Sequence, residues 1–136
     1  MLRVILGEKG AGKTKRIIDE ANSLLETAKG NLVYIDDDKS YTLDINTRIR
    51  FIDASEYNLT NPDMFLGFIS GIAAQDYDLE AMYIDGFLKI VRTPLYDLET
   101  LFEQIGDFAV KNGITVTISI NYKLDEAPDF LRKFIV

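Results

Sequence analysis

Apolar positions along this chain fall into short dense runs and longer spaced ones, and the two kinds alternate. Leu2 to Leu6 is a short, mainly apolar run ending at Gly7, the pattern of a strand buried on both faces. From Lys13 onward Ile17, Ile18, Ala21, Leu24, Leu25 and Ala28 recur at helical spacing, which predicts an amphipathic helix closed by Lys29 with Gly30 as its C-cap. Leu32 to Ile35 predicts a second strand, ended by Asp36-Asp37-Asp38. Residues 41–53 alternate (Tyr41, Leu43, Ile45, then Ile49 and Phe51) around Asn46-Thr47, which predicts a hairpin. Asn61 followed by Pro62 marks the N-cap and first residue of a helix reaching about Ala74. Gly67 and Gly71 on that helix are expected to let it lie close on a sheet.

Ala81-Met82-Tyr83-Ile84 is the next buried strand and ends in Asp85-Gly86. Beyond Pro94, Leu98, Leu101, Phe102, Ile105, Phe108 and Ala109 trace a long helix that stops at Asn112-Gly113. Ile114 to Ile120 is β-branched and ends at Asn121. Pro128 to Lys133 reads as a turn or short helix, and Phe134-Ile135-Val136 as a terminal strand. Strands alternating with helices predict a three-layer α/β domain with a mostly parallel sheet and the hairpin at one edge. The expected order places the Ile114–Ile120 strand between the first strand and the one ending at Asp85; the alternative sets the Asp85 strand directly beside the first. A chain of 136 residues is expected to form one domain, 1–136.

Composition narrows the chemistry. Cysteine and histidine are both absent, which removes disulfides, thiolate or imidazole metal sites, and Ser-His or Cys-His nucleophile pairs. No apolar run approaches the roughly 20 residues of a membrane span, and the N-terminus lacks the features of a secretory signal, so no membrane association and a cytoplasmic location are the expectations. The net charge of −7 is unevenly placed: residues 1–16 carry Arg3, Lys9, Lys13, Lys15 and Arg16 against Glu8 alone. The acidic remainder would repel a long phosphate backbone, so nucleic acid is not an expected partner. A small polyanion at the basic N-terminal end is.

Gly7-Glu8-Lys9-Gly10-Ala11-Gly12-Lys13-Thr14 matches G-x-x-x-x-G-K-[ST] at every fixed position, between a buried strand and an amphipathic helix. Each part has its own physical role. The glycines let the backbone curl so that successive N–H groups face one concavity. The helix beginning near Gly12 aims its positive dipole end at the same spot. Lys13 can reach the β- and γ-phosphates, and the Thr14 hydroxyl can enter a Mg²⁺ shell. Gly7, Lys9, Gly10, Ala11, Gly12, Lys13, Thr14 and Lys15 are therefore the candidate nucleotide-binding residues. Asp85, at the end of a buried strand, is the candidate second metal residue beside Thr14.

No catalytic residue can be named. Many hydrolysing ATPases of this layout place Glu directly after the strand-end Asp, and here the position is Gly86. Asp36, Asp37, Asp38, Asp53 and Glu56 are substitute carboxylates, although a solvated loop is the plainer reading of 36–38. Asn121 could sense the γ-phosphate, Arg92 could act as an arginine finger in cis or trans, and one of the scattered tyrosines could stack on a base while the rest pack as core or rim.

The phosphate loop together with Ile49-Arg50-Phe51-Ile52-Asp53, Phe65-Leu66-Gly67-Phe68-Ile69-Ser70-Gly71 and Ile84-Asp85-Gly86-Phe87-Leu88-Lys89 resembles a family of short bacterial P-loop proteins, often labelled ATP-binding or twitching-motility-ATPase-like. The resemblance runs over nearly the whole chain and implies nucleotide binding. Pilus-retraction ATPases use a histidine-containing motif, and this chain has no histidine, so motor activity is not carried over. The expected cofactors are ATP or another nucleoside triphosphate and Mg²⁺, with slow or partner-triggered hydrolysis. A protein partner or a second copy of the chain would complete the site. The alternatives are a nucleotide-gated interaction module without turnover and a small-molecule kinase.

Overall fold

The computed structural model describes all 136 residues, Met1–Val136. Five strands, β1 (Leu2–Gly7), β2 (Asn31–Asp36), β3 (Arg50–Asp53), β4 (Leu79–Ile84) and β5 (Thr115–Asn121), form one sheet in the order β1-β5-β4-β2-β3. Every pairing is parallel. As the sequence pattern anticipates, β5 lies between β1 and β4, the strand that leads to Asp85.

Alternation along each strand divides the core into two layers. Leu2, Val4, Val33, Ile35, Met82, Ile84, Val116, Ile118 and Ile120 face one side, with Phe65, Phe87, Phe102 and the other apolar residues of α2 (Pro62–Gln75), α3 (Phe87–Val91) and α4 (Glu99–Asn112). Ile5, Leu32, Tyr34, Ala81 and Tyr83 face the other, packed against Ile17, Ile18, Ala21 and Leu25 of α1 (Lys13–Leu25). A short α5 (Asp129–Arg132) follows β5. The C-terminal residues then bridge β1, Val4 N donating to Phe134 O at 2.8 Å and Val136 N to Val4 O at 2.9 Å.

The expected hairpin at 41–53 does not form. Thr42–Asp44 is a single 3₁₀ turn, and Arg50–Asp53 is an edge strand parallel to β2. Tyr41 and Leu43, which made the alternation look strand-like, face solvent, while Ile45 and Ile49 bury against the α1 layer. Asn22 of α1 pins the segment, donating to Asp44 O and accepting from Asn46 N, both at 3.0 Å. Apolar positions in a crossover that packs on a helix therefore imitated strand periodicity.

Three glycine expectations are resolved differently. Gly113 closes α4 at φ 63, as anticipated. Gly30 does not cap α1, which ends at Leu25; a Cβ at Gly30 would lie 2.2 Å from the Asp78 carbonyl oxygen, so close backbone approach is what requires glycine there. Gly67 and Gly71 do not bring α2 onto the sheet: both are exposed, and a Cβ at either would meet nothing within 4 Å.

Candidate functional site

The C-terminal ends of the strands converge on one cleft of about 1020 Å³, lined by the phosphate loop, Asp36–Asp38, Asp85 and the first turns of α1 and α3. Parallel pairing is what gathers these groups. In register, Ile84 lies beside Ile35 on one side and Ile118 on the other, so Asp85 emerges level with Asp36 and Ser119. Asp36 in turn pairs with Asp53 at the edge.

The phosphate loop has the form its glycines permit. Gly10 and Gly12 hold φ of 88 and 85, the left-handed region that a side chain disfavours, and Ala11 N donates to Glu8 O at 3.1 Å. Gly12 is the N-cap of α1, which has no side-chain cap and no acidic residue in its first turn. Its leading N–H groups and positive dipole end are therefore free for an external anion. Gly10, Gly12, Lys13, Thr14, Lys9 and Lys15 line the cleft, whereas Gly7 and Ala11 do not. Lys15 is drawn into an exposed pair with Asp19 at 2.5 Å.

Lys13 does not stand out in solvent. It is buried, and its Nζ donates to Glu8 O at 3.0 Å, folding back across its own loop. Burial lowers its pKa, partly opposed by the nearby Asp85 carboxylate.

Asp85 is the hub. Its Oδ2 accepts from Thr14 Oγ1 at 2.9 Å and from Tyr34 OH at 3.3 Å. Its Oδ1 accepts from Gly86 N at 2.9 Å and from Ser119 Oγ. Tyr34 and Ser119 were not among the sequence candidates: both lie in strands that read as apolar core, and Tyr34 is fully buried. Burial and the adjoining carboxylates hold the Tyr34 phenol well above its ordinary pKa, so it remains a donor. Asn121 lines the same cleft from the end of β5.

The acidic run 36–38 is not simply a solvated loop. Asp36 is buried, its Oδ1 accepting from Asp37 N at 2.7 Å, while its Oδ2 finds no donor among the protein's groups. Burial foremost, then the Asp37 side chain and Asp85, pushes the Asp36 carboxyl up to about 8. Asp37 fills the space beside Gly86, where a Cβ would lie 2.2 Å from Asp37 Oδ1. The other substitute carboxylates are engaged elsewhere: Asp53 accepts from Ser55 N and Oγ, and Glu56 pairs with Lys39 at 2.6 Å. Arg92 ends α3 at φ 52 and is not among the cleft's lining residues.

No family model matches the chain, and no curated protein does. Among solved structures, the chain is similar to the crystal structure of flagellar accessory protein FlaH from Methanocaldococcus jannaschii, with a TM-score of 0.56 and 15% identity. The match covers 97% of this chain and 65% of that one, so the chain spans somewhat under two thirds of that protein's length. At this identity the likeness establishes the fold, a P-loop NTPase-like α/β domain, and the resemblance to twitching-motility-ATPase-like proteins has no family match behind it.

Proposed function

We propose that the chain binds a nucleoside triphosphate, ATP first among them, as its Mg²⁺ complex. The observation that carries this reading is the 2.9 Å contact between Thr14 Oγ1 and Asp85 Oδ2, residues 71 positions apart in sequence, at the mouth of an uncapped helix N-terminus. A hydroxyl and a carboxylate oxygen are the hard donors that Mg²⁺ takes, so the donor set fits the metal. Thr14 and Asp85 would hold it, and the bound ion would neutralise charge on the phosphates. The backbone N–H groups of Gly10 to Thr14 would cradle the phosphates, and Lys13 would leave Glu8 O to meet them.

Hydrolysis by the isolated chain is slow in this reading. With Gly86 after Asp85, no side chain at that position can orient a water, and Asp37 already fills the adjoining space. A protein partner or a second copy, presenting a group such as Arg92, would raise the rate. The second reading, a nucleotide-gated module without turnover, draws on the same glycine. Transfer to a small acceptor stays in the test because the cleft runs on past the phosphate loop to Asn22, Ser40, Tyr41 and Asp44, where Tyr41 would be the tyrosine to stack on a base.

Phosphate release from ATP by purified protein, alone and with added acceptors, separates these readings. The expected outcome is saturable ATP binding with release near the 10⁻⁴ to 10⁻² per second of incomplete P-loop sites, roughly. Binding without release would support the gated module. No binding at millimolar ATP would overturn the proposal.

A further inference from the structure

We infer that Asp36, Asp37 and Asp38 form a site for a second, hard divalent cation, separate from the Thr14 and Asp85 pair. One carboxylate oxygen of each residue lies within 4.8 Å of the other two. Proximity alone says little, since acidic side chains gather in loops. The independent observation is the Asp36 Oδ2 atom, which is buried and has no donor among the protein's groups, on a residue only 3% exposed.

The neighbouring hydroxyls and lysines do not repair that deficit, because they are committed elsewhere. Tyr34 OH, Ser119 Oγ and Thr14 Oγ1 all point at Asp85. Lys13 Nζ is held by Glu8 O. Lys89 Nζ approaches only Asp37, at 3.8 Å, from an exposed position. The charged form of this carboxyl therefore lacks a donor, and a ligated cation would supply the missing positive charge directly.

Its neighbours complete the donor set. Asp38 Oδ1 accepts from Ser40 N at 2.9 Å, which orients that carboxylate and leaves its second oxygen for an ion. Burial grades from Asp36 inside, through half-buried Asp37, to exposed Asp38, so a hydrated cation can enter from the cleft and keep water on its outer side. Three carboxylates with no nitrogen or sulfur donor suit Mg²⁺, Mn²⁺ or Ca²⁺. The site needs no nucleotide, so it stands or falls apart from the proposed function.

Mn²⁺ titrated into nucleotide-free protein, with the free ion followed by electron paramagnetic resonance, tests the inference. One Mn²⁺ should bind per chain. Asp36→Asn and Asp38→Asn should each weaken it by about tenfold or more through loss of a charged ligand, while Asp85→Asn retains it. Asp38 is exposed, so its variant carries the test even where Asp36→Asn folds poorly. Failure to bind Mn²⁺ at millimolar concentration, equal binding by every variant, or loss confined to Asp85→Asn would overturn the assignment.

Discussion

Asp85 accepts hydrogen bonds from Thr14, Tyr34, Ser119 and its neighbour Gly86 at once, and that fixes where its charge points. Sequence pattern located Asp85 and Thr14, because a strand-end Asp and a phosphate-loop Thr carry recognisable spacing. Tyr34 and Ser119 were hidden, since a Tyr or Ser inside a β-branched run looks the same whether its polar atom is spent on a carboxylate or not. Only strand register reveals them. Tyr34→Phe keeps the volume and removes the donor; it should lower folding stability by about 1 kcal/mol and weaken Mg²⁺-ATP binding more than ATP binding without metal. Equal weakening in both conditions would make Tyr34 a packing residue. Asp85→Asn should show the same asymmetry more strongly.

Asp36 was likewise misjudged, because burial at a strand end cannot be read from a run of three aspartates. Its carboxyl titrates from an ordinary 3.8 in the unfolded chain to about 8 in the folded one. Between those values the folded state binds more protons, so stability falls as pH rises through that window and levels off above it. In chelator, Asp36→Asn should abolish that fall. Urea unfolding at about pH 5 and pH 8 measures it, and an unchanged slope in the variant would contradict the burial.

At the scale of elements, the sequence marked β1, β2, β4, β5 and the three long helices, since buried parallel strands and amphipathic helices have distinct periods. The misreadings lie in connections, where tertiary packing sets the pattern. Ile45 and Ile49 alternate because they pack on α1, not because they pair across a hairpin. Helix α3, five residues directly after Gly86, is too short to announce itself by periodicity. Gly86, the N-cap of α3, is held at φ 65 with the Asp37 carboxylate against it. Gly86→Ala should therefore destabilise the fold by about 1–3 kcal/mol, read as a lowered denaturant midpoint. Asn61, whose Oδ1 accepts from Met64 N at 2.9 Å, caps α2 as anticipated. Its replacement by Ala should cost about 1 kcal/mol and leave nucleotide affinity unchanged, because α2 does not line the cleft.

Across the whole molecule, parallel order does the assembling. Every strand points the same way, so the residue after each strand reaches the same edge of the sheet, where α1 presents its uncapped N-terminus. The phosphate loop was legible because its chemistry is local; the acidic wall opposite was not, because it exists only once β2 and β4 lie side by side. The most direct test of a metal-nucleotide site built in this way is calorimetric titration of ATP, with and without Mg²⁺, into the parent protein and Lys13→Ala. Circular dichroism must accompany it, since Lys13 is buried and its removal also loses the contact to Glu8 O. The parent should bind one ATP per chain, more tightly with Mg²⁺. A folded Lys13→Ala protein should bind at least tenfold more weakly, about 1.4 kcal/mol. Equal affinity for ATP in the two folded proteins would contradict the phosphate-loop assignment.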